Sequence, residues 1–151
     1  MENLDLFECR KFRSVYLSAE TEVEYTGDPV TSPEQAAELF RGYYGKTIQT
    51  VEKVYALYLS HWKKPLAISQ ISVGCINAAV CDIRVIAKIA IDTLASSVIL
   101  CHNHPSGNPE ESASDINLSD KVNKTLKLFG CELVDHIILT ESSYTSLNGK
   151  F

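Results

Sequence analysis

Residues 97–107 read Ser97-Val98-Ile99-Leu100-Cys101-His102-Asn103-His104-Pro105-Ser106-Gly107, an apolar run that turns polar at its end. Ser97 to Cys101 is a short buried strand, and the residues after it sit where that strand runs out into a loop, a usual place for a rigid scaffold to present reactive groups. Proline at 105 disfavours helical geometry at His104, so residues 102 to 104 stay extended. Side chains two apart on an extended chain point the same way, so His102 and His104 converge. Asn103 projects to the other side, where a scaffold role suits it better than a catalytic one.

Working outward, polar punctuation from His104 to Ser112 gives way to Leu118, Val122, Leu126 and Phe129 at helical spacing, with Gly130 as the stop. Leu133–Leu139 and Tyr144–Leu147 read as two strands around a Glu141-Ser142-Ser143 turn. On the other side, Ile83, Ile86, Ala87, Ala90, Ile91 and Leu94 form the apolar face of a helix. Thr50 to Ser60 is apolar on both alternating faces and reads as an interior strand. Leu66 to Val73 is its neighbour across a turn near Trp62-Lys63-Lys64-Pro65, and Gly74 ends the run.

The first helix announces itself at Ser32-Pro33-Glu34-Gln35, with a hydroxyl N-cap, proline at the first helical position and glutamine placed to return the cap hydrogen bond. Ala36, Leu39, Phe40 and Tyr43 follow as its stripe, and Gly45 suits its exit. Residues 1–30 read as an N-terminal extension in which Phe12 to Leu17 forms an edge strand, and residues 31–151 as one domain. Helices interleaved with mostly hairpin-linked strands predict an α/β fold, a mixed β-sheet flanked by helices.

The chain has 151 residues, the size of one domain, with 45% hydrophobic and 22% charged residues, which excludes a disordered class. A net charge of −5 lacks the positive field that non-specific phosphate binding needs, so direct nucleic-acid binding is not expected. Lys121, Lys124 and Lys127 recur at helical spacing as a solvated face. Five cysteines without a C-x-x-C pair exclude a disulfide framework and point to a reducing, cytoplasmic compartment. No apolar run reaches the ~18 residues of a membrane span, and the N-terminus lacks a signal peptide's basic region. Nothing in the sequence fixes the oligomeric state.

Two neutral histidines and a carboxylate are a common ligand set for catalytic zinc, leaving a fourth position for water. Asp115 is the carboxylate of choice, in the first turn of the third helix and just past the Gly107–Pro109 turn. Two ordinary explanations stand beside this one. Strand-end histidines are often plain polar groups, and Ser112-Ala113-Ser114-Asp115 is a capping box that needs no metal. Spacing alone leaves the readings open. Hydrolysis at zinc also wants a base, and Glu52 alternates with Val54, Ala56 and Tyr58 on one strand face. A carboxylate on that apolar face needs a partner or a wet strand end, and periodicity does not decide between them. Nucleobase deamination is excluded, because its H-x-E and P-C-x-x-C pattern is absent.

His102-x-His104-Pro105-Ser106-Gly107, followed by Ser112 and Asp115, resembles the JAMM (MPN+) metalloprotease signature. From about Ser32 to Leu147 the fuller pattern resembles the RadC family of bacterial JAB-domain proteins. It takes in Glu52-x-x-Tyr55-x-x-Tyr58, Gly74, Asn77, Arg84, Asp135-His136-Ile137-Ile138 and Tyr144-x-Ser146. The resemblance implies the JAB fold, one zinc held by His102, His104 and Asp115, Glu52 as general acid/base acting through the bound water, and Ser112 as donor to the developing oxyanion. It also implies a metallopeptidase or isopeptidase-like hydrolase acting on a peptide or protein.

Two positions depart from the family pattern: Glu111 stands where proline usually precedes the serine, and Asp82-Ile83 where His-Pro usually precedes the arginine. Longer members carry an N-terminal helix-hairpin-helix region associated with DNA binding, for which 151 residues leave no room, so the DNA-repair association is expected to transfer poorly. The alternative expectation is an accessory module of DNA repair or mobile-element metabolism whose zinc site is structural or vestigial. His136 is expected to make structural hydrogen bonds rather than bind metal, and Cys101 to be buried rather than a ligand. Arg84 contacts an acidic substrate or pairs with a helix carboxylate.

Overall fold

The computed structural model describes residues 27–74 and 81–151. The expected strand at Phe12–Leu17 and the family-matching Asn77 lie outside the described residues. Helix α1 spans Pro33–Tyr44, and the Ser32 side chain accepts from the Gln35 amide as expected of the N-cap. The return bond lands one residue earlier than expected, from the Thr31 amide to Gln35 Oε1 at 2.8 Å. Gly45 leaves the helix with φ of 50° and its amide on the Arg41 carbonyl. Ala36, Ala37, Phe40 and Tyr44 form the buried stripe, while Leu39 and Tyr43 pack at its margin.

A 3-10 turn over Gly45–Gln49 precedes β1 (Lys53–Leu59), so the strand starts later than the expected Thr50. Next come β2 (Pro65–Val73), α2 (Ile83–Asp92), β3 (Ser97–Asn103), α3 (Ala113–Lys127), β4 (Glu132–Leu139) and β5 (Tyr144–Ser146). The strand order is β2-β1-β3-β4-β5, antiparallel except where β3 pairs with β4 across the α3 crossover. All seven residues of the central β3 are buried.

The two faces of the sheet carry separate cores. Tyr55, Leu57, Leu59, Ile99, Cys101, Ile137 and Leu139 pack with α1, and Ala56, Tyr58, Val98, Leu100 and Leu133 pack with α2 and α3. Each fully buried aliphatic side chain contributes about 1.5–3 kcal/mol before the entropy of ordering is counted. Arg41 fastens α1 to the far end of the sheet, donating to the carbonyls of Thr140 at 2.8 Å and Ser143 at 3.0 Å, and to that of Glu141.

Helical spacing overreached at three positions, one of them Ile91, which lies within α2 and is exposed. Leu94 and Phe129 lie past the ends of α2 and α3 and are exposed, because each helix stops short of the periodic residue. The β4 register hides a further difference. Val98 opposes Leu133 but Ile99 opposes Asp135, so Val134 is an extra residue. A bulge of this kind re-aims the side chains beyond it. Leu133 and His136, three apart, therefore both face α3, which simple alternation forbids. No helix among the described residues is long and apolar enough to cross a membrane.

Candidate metal centre

The cluster is assembled at the end of β3. His102 is buried there, and His104 follows just beyond the strand, anchored by its amide on the Leu139 carbonyl at 2.9 Å. Proline at 105 stops the strand. Gly107, with φ of 81°, folds the loop back so that the Asn108 carbonyl meets His104 Nδ1 at 2.8 Å. A carbonyl only accepts, so His104 Nδ1 carries the hydrogen and Nε2 presents a lone pair.

Asp115 comes from the first turn of α3 and is buried. The capping box is present. Asp115 Oδ2 accepts from the Ser112 amide at 2.7 Å and from the Ser112 hydroxyl at 2.6 Å, while the Asp115 amide donates to Ser112 Oγ at 3.2 Å. Oδ1 remains turned to His102 Nε2, 3.2 Å away. The helix-cap reading and the ligand reading are thus compatible, because one carboxylate has an oxygen for each.

His102 Nε2 and His104 Nε2 are 2.8 Å apart, and one ligand atom from each of His102, His104 and Asp115 falls within 4.8 Å of the others. Zinc bonds of 2.0–2.1 Å at tetrahedral angles set ligand atoms about 3.3 Å apart. Two imidazole nitrogens and a carboxylate oxygen so close together are an electron-rich knot that suits a cation. These residues fit a metal ion by spacing and donor chemistry.

Glu52 lies immediately before β1. Val54 stands opposite His102 in the β1–β3 ladder, so the residue two before it shares that face at the level of His104. It occupies the wet strand end that the sequence left as one of two choices. Burial raises its carboxyl above the ordinary value and Asp115 adds to this, while His104 opposes both. Asn103, pointing the other way, holds this segment in place. Its Oδ1 accepts from the Lys53 amide at 2.8 Å, and its Nδ2 donates to the carbonyls of Ile48 at 2.7 Å and Val51 at 2.9 Å. The scaffold role fits.

His136 lies outside the ligand group and hydrogen-bonds within it. Its Nε2 is 2.8 Å from His102 Nδ1, and its Nδ1 is 2.6 Å from Ser119 Oγ. The sequence reading missed Ser119. The available signal was a serine four residues after Asp115 on the buried stripe of Leu118, Val122 and Leu126. Arg84 pairs with Asp82, Nη2 to Oδ2 at 2.7 Å, and this carboxylate is also the α2 N-cap. Cys101 is buried, as expected. Ser119 and Glu111 border a cleft of about 370 Å³ between α3 and β5 with the two residues that follow it, so the Glu111 departure places a carboxylate on its wall.

Burial lowers the pKa of His136 from 6.5 to about 4 and pushes that of His102 down as well. Burial pushes the Asp115 carboxyl up, but the Ser112 hydrogen bonds and the two histidines outweigh it and hold it low. Between pH 6.5 and 4 the unfolded chain takes up a proton at residue 136 that the folded chain refuses. Stability is therefore full above pH 6.5 and is lost as the pH falls toward 4. For His136 alone the loss in metal-free protein is on the order of 3 kcal/mol, readable as a falling urea midpoint, and Asp115 acts in the same direction. An unchanged midpoint from pH 7 to 4.5 would contradict this.

A mixed sheet between helices, with His-x-His leaving the central strand and an aspartate opening the next helix, defines a JAB-type α/β domain whose His-His-Asp cluster resembles a JAMM metal site. The sequence profile of the RadC-like JAB domain matches residues 30–150, and the chain belongs to that family. A UPF0758 protein of Clostridium acetobutylicum is 36% identical over 120 residues, covering 78% of this chain and 51% of that protein. One from Methanosarcina mazei is 36% identical over 131 residues, covering 87% of this chain and 56% of its own length. One from Fusobacterium nucleatum is 42% identical over 98 residues, 65% of this chain and 42% of the relative. The chain spans about half the length of the curated relatives it matches.

Proposed function

We propose that this chain is a zinc-dependent amide hydrolase of metallopeptidase or isopeptidase type. The reading is carried by the convergence of His102 Nε2, His104 Nε2 and an Asp115 oxygen beside a carboxylate, Glu52, whose pKa is raised. Zinc bound there supplies Lewis acidity toward a carbonyl and ionises water near neutral pH. Glu52 takes the proton of the attacking water and delivers it to the leaving amine, and its raised pKa favours that return. Ser112 donates to the developing oxyanion, for which its hydroxyl must leave Asp115 Oδ2. A peptide or protein is the substrate class.

Elemental analysis of purified protein is expected to give about one zinc per chain. Profiling against peptide and isopeptide libraries is expected to show cleavage that a chelator abolishes and added zinc restores. Protein that takes up no metal on reconstitution would sink the reading. Full zinc occupancy without turnover on any amide would favour an accessory module with a structural site.

A further inference from the structure

The hydrolase reading leaves Ser119 and His136 without a role, although both are buried and joined to His102. Counting hydrogens along the chain of contacts gives them one. Ser119 has a single hydroxyl hydrogen, and its Oγ lies 3.0 Å from the Asp115 main-chain carbonyl, which only accepts. With that hydrogen given to the carbonyl, Ser119 Oγ faces His136 Nδ1 as an acceptor, and His136 carries its hydrogen on Nδ1. His136 Nε2 is then a lone pair, 2.8 Å from His102 Nδ1, which must be the donor. His102 is left with Nε2 bare and aimed at His104 and Asp115, the state a ligand needs.

We propose that Ser119 and His136 are positioning residues that hold His102 in its Nδ1–H tautomer through the relay His102 Nδ1–H to His136 Nε2, His136 Nδ1–H to Ser119 Oγ, and Ser119 O–H to the Asp115 carbonyl. The inference rests on the metal-binding part of the hydrolase reading. A ligating imidazole commonly gives its second hydrogen to a carboxylate, a carbonyl or water. Here the acceptor is a second imidazole, buried and unable to turn without breaking its bond to Ser119. The relay ends on the carbonyl of Asp115, itself a ligand, so one run of hydrogen bonds ties together two ligands from different elements. The β4 bulge is what lets His136 reach it.

The test is zinc affinity, measured by competition with a chromophoric chelator on the full chain, with nitrogen-15 NMR of the histidine rings in zinc-loaded protein. Zinc-loaded wild type is expected to show His136 as the Nδ1–H tautomer. Ser119→Ala and His136→Leu are expected to bind zinc about 10–100-fold more weakly. His136→Gln, whose amide oxygen can accept from His102, is expected to recover most of that loss. Ser119→Ala removes one oxygen and retains the fold, which circular dichroism checks. Unchanged affinity in Ser119→Ala and His136→Leu, or an Nε2–H His136 in zinc-loaded wild type, would overturn the relay and leave the hydrolase reading standing. Wild type that binds no zinc would remove both.

Discussion

Replacing Glu52 by glutamine is expected to lower turnover by about 10²–10⁴-fold while zinc content stays at the wild-type level. The amide keeps the size and the acceptor oxygen of the carboxylate, so the start of β1 has no reason to move. It cannot take a proton at neutral pH. The ligand atoms belong to other residues, and Glu52 meets the cluster from the segment just before the neighbouring strand β1. Paired metal analysis and turnover on the same preparation separate the two effects. Turnover within tenfold of wild type would mean that water is activated without this carboxylate, and lost zinc would mean that Glu52 helps to hold the ion.

The second large effect falls on stability. Asn103→Ala is expected to cost about 2–4 kcal/mol, because it strips a partner from the Lys53 amide and from the carbonyls of Ile48 and Val51 at a fully buried site. Urea unfolding measures the cost. Glu52 sits between Val51 and Lys53, so the same variant is expected to lose turnover with zinc affinity largely kept. A midpoint within about 0.5 kcal/mol of wild type would show that Tyr44 holds the segment unaided, since its hydroxyl also meets the Lys53 carbonyl at 2.8 Å.

Local chemistry was readable in the sequence and distant pairing was not. The Ser32 cap, the apolar runs of β1 and β3, the turn before Pro65 and the alternation of His102, Asn103 and His104 each depend on neighbours within a few residues. All of them appear in the fold. The choice between cap and ligand for Asp115 was not decidable from spacing, because the answer lies in its two oxygens facing different partners. The late start of β1 depends on Asn103, fifty residues away. His136 pointing toward α3 depends on a bulge that alternation in β4 does not reveal. Ser119 carried only the signal of its place on the buried helix stripe, because a serine there acquires meaning from what packs over it.

The strand order also bears on how the domain is built in time. The groups that meet at the cluster are drawn from residue 52 to residue 136, and β1, β3 and β4 must all be paired before they face one another. Such long closures are entropically costly, so they come late in folding. The three proposed ligands, by contrast, lie within residues 102–115, so holding an ion needs the local loop and not the finished sheet. A fragment carrying only the His102-to-Asp115 loop would hold the ligand side chains without the Glu52 carboxylate and the His136 contact that the paired sheet brings to them.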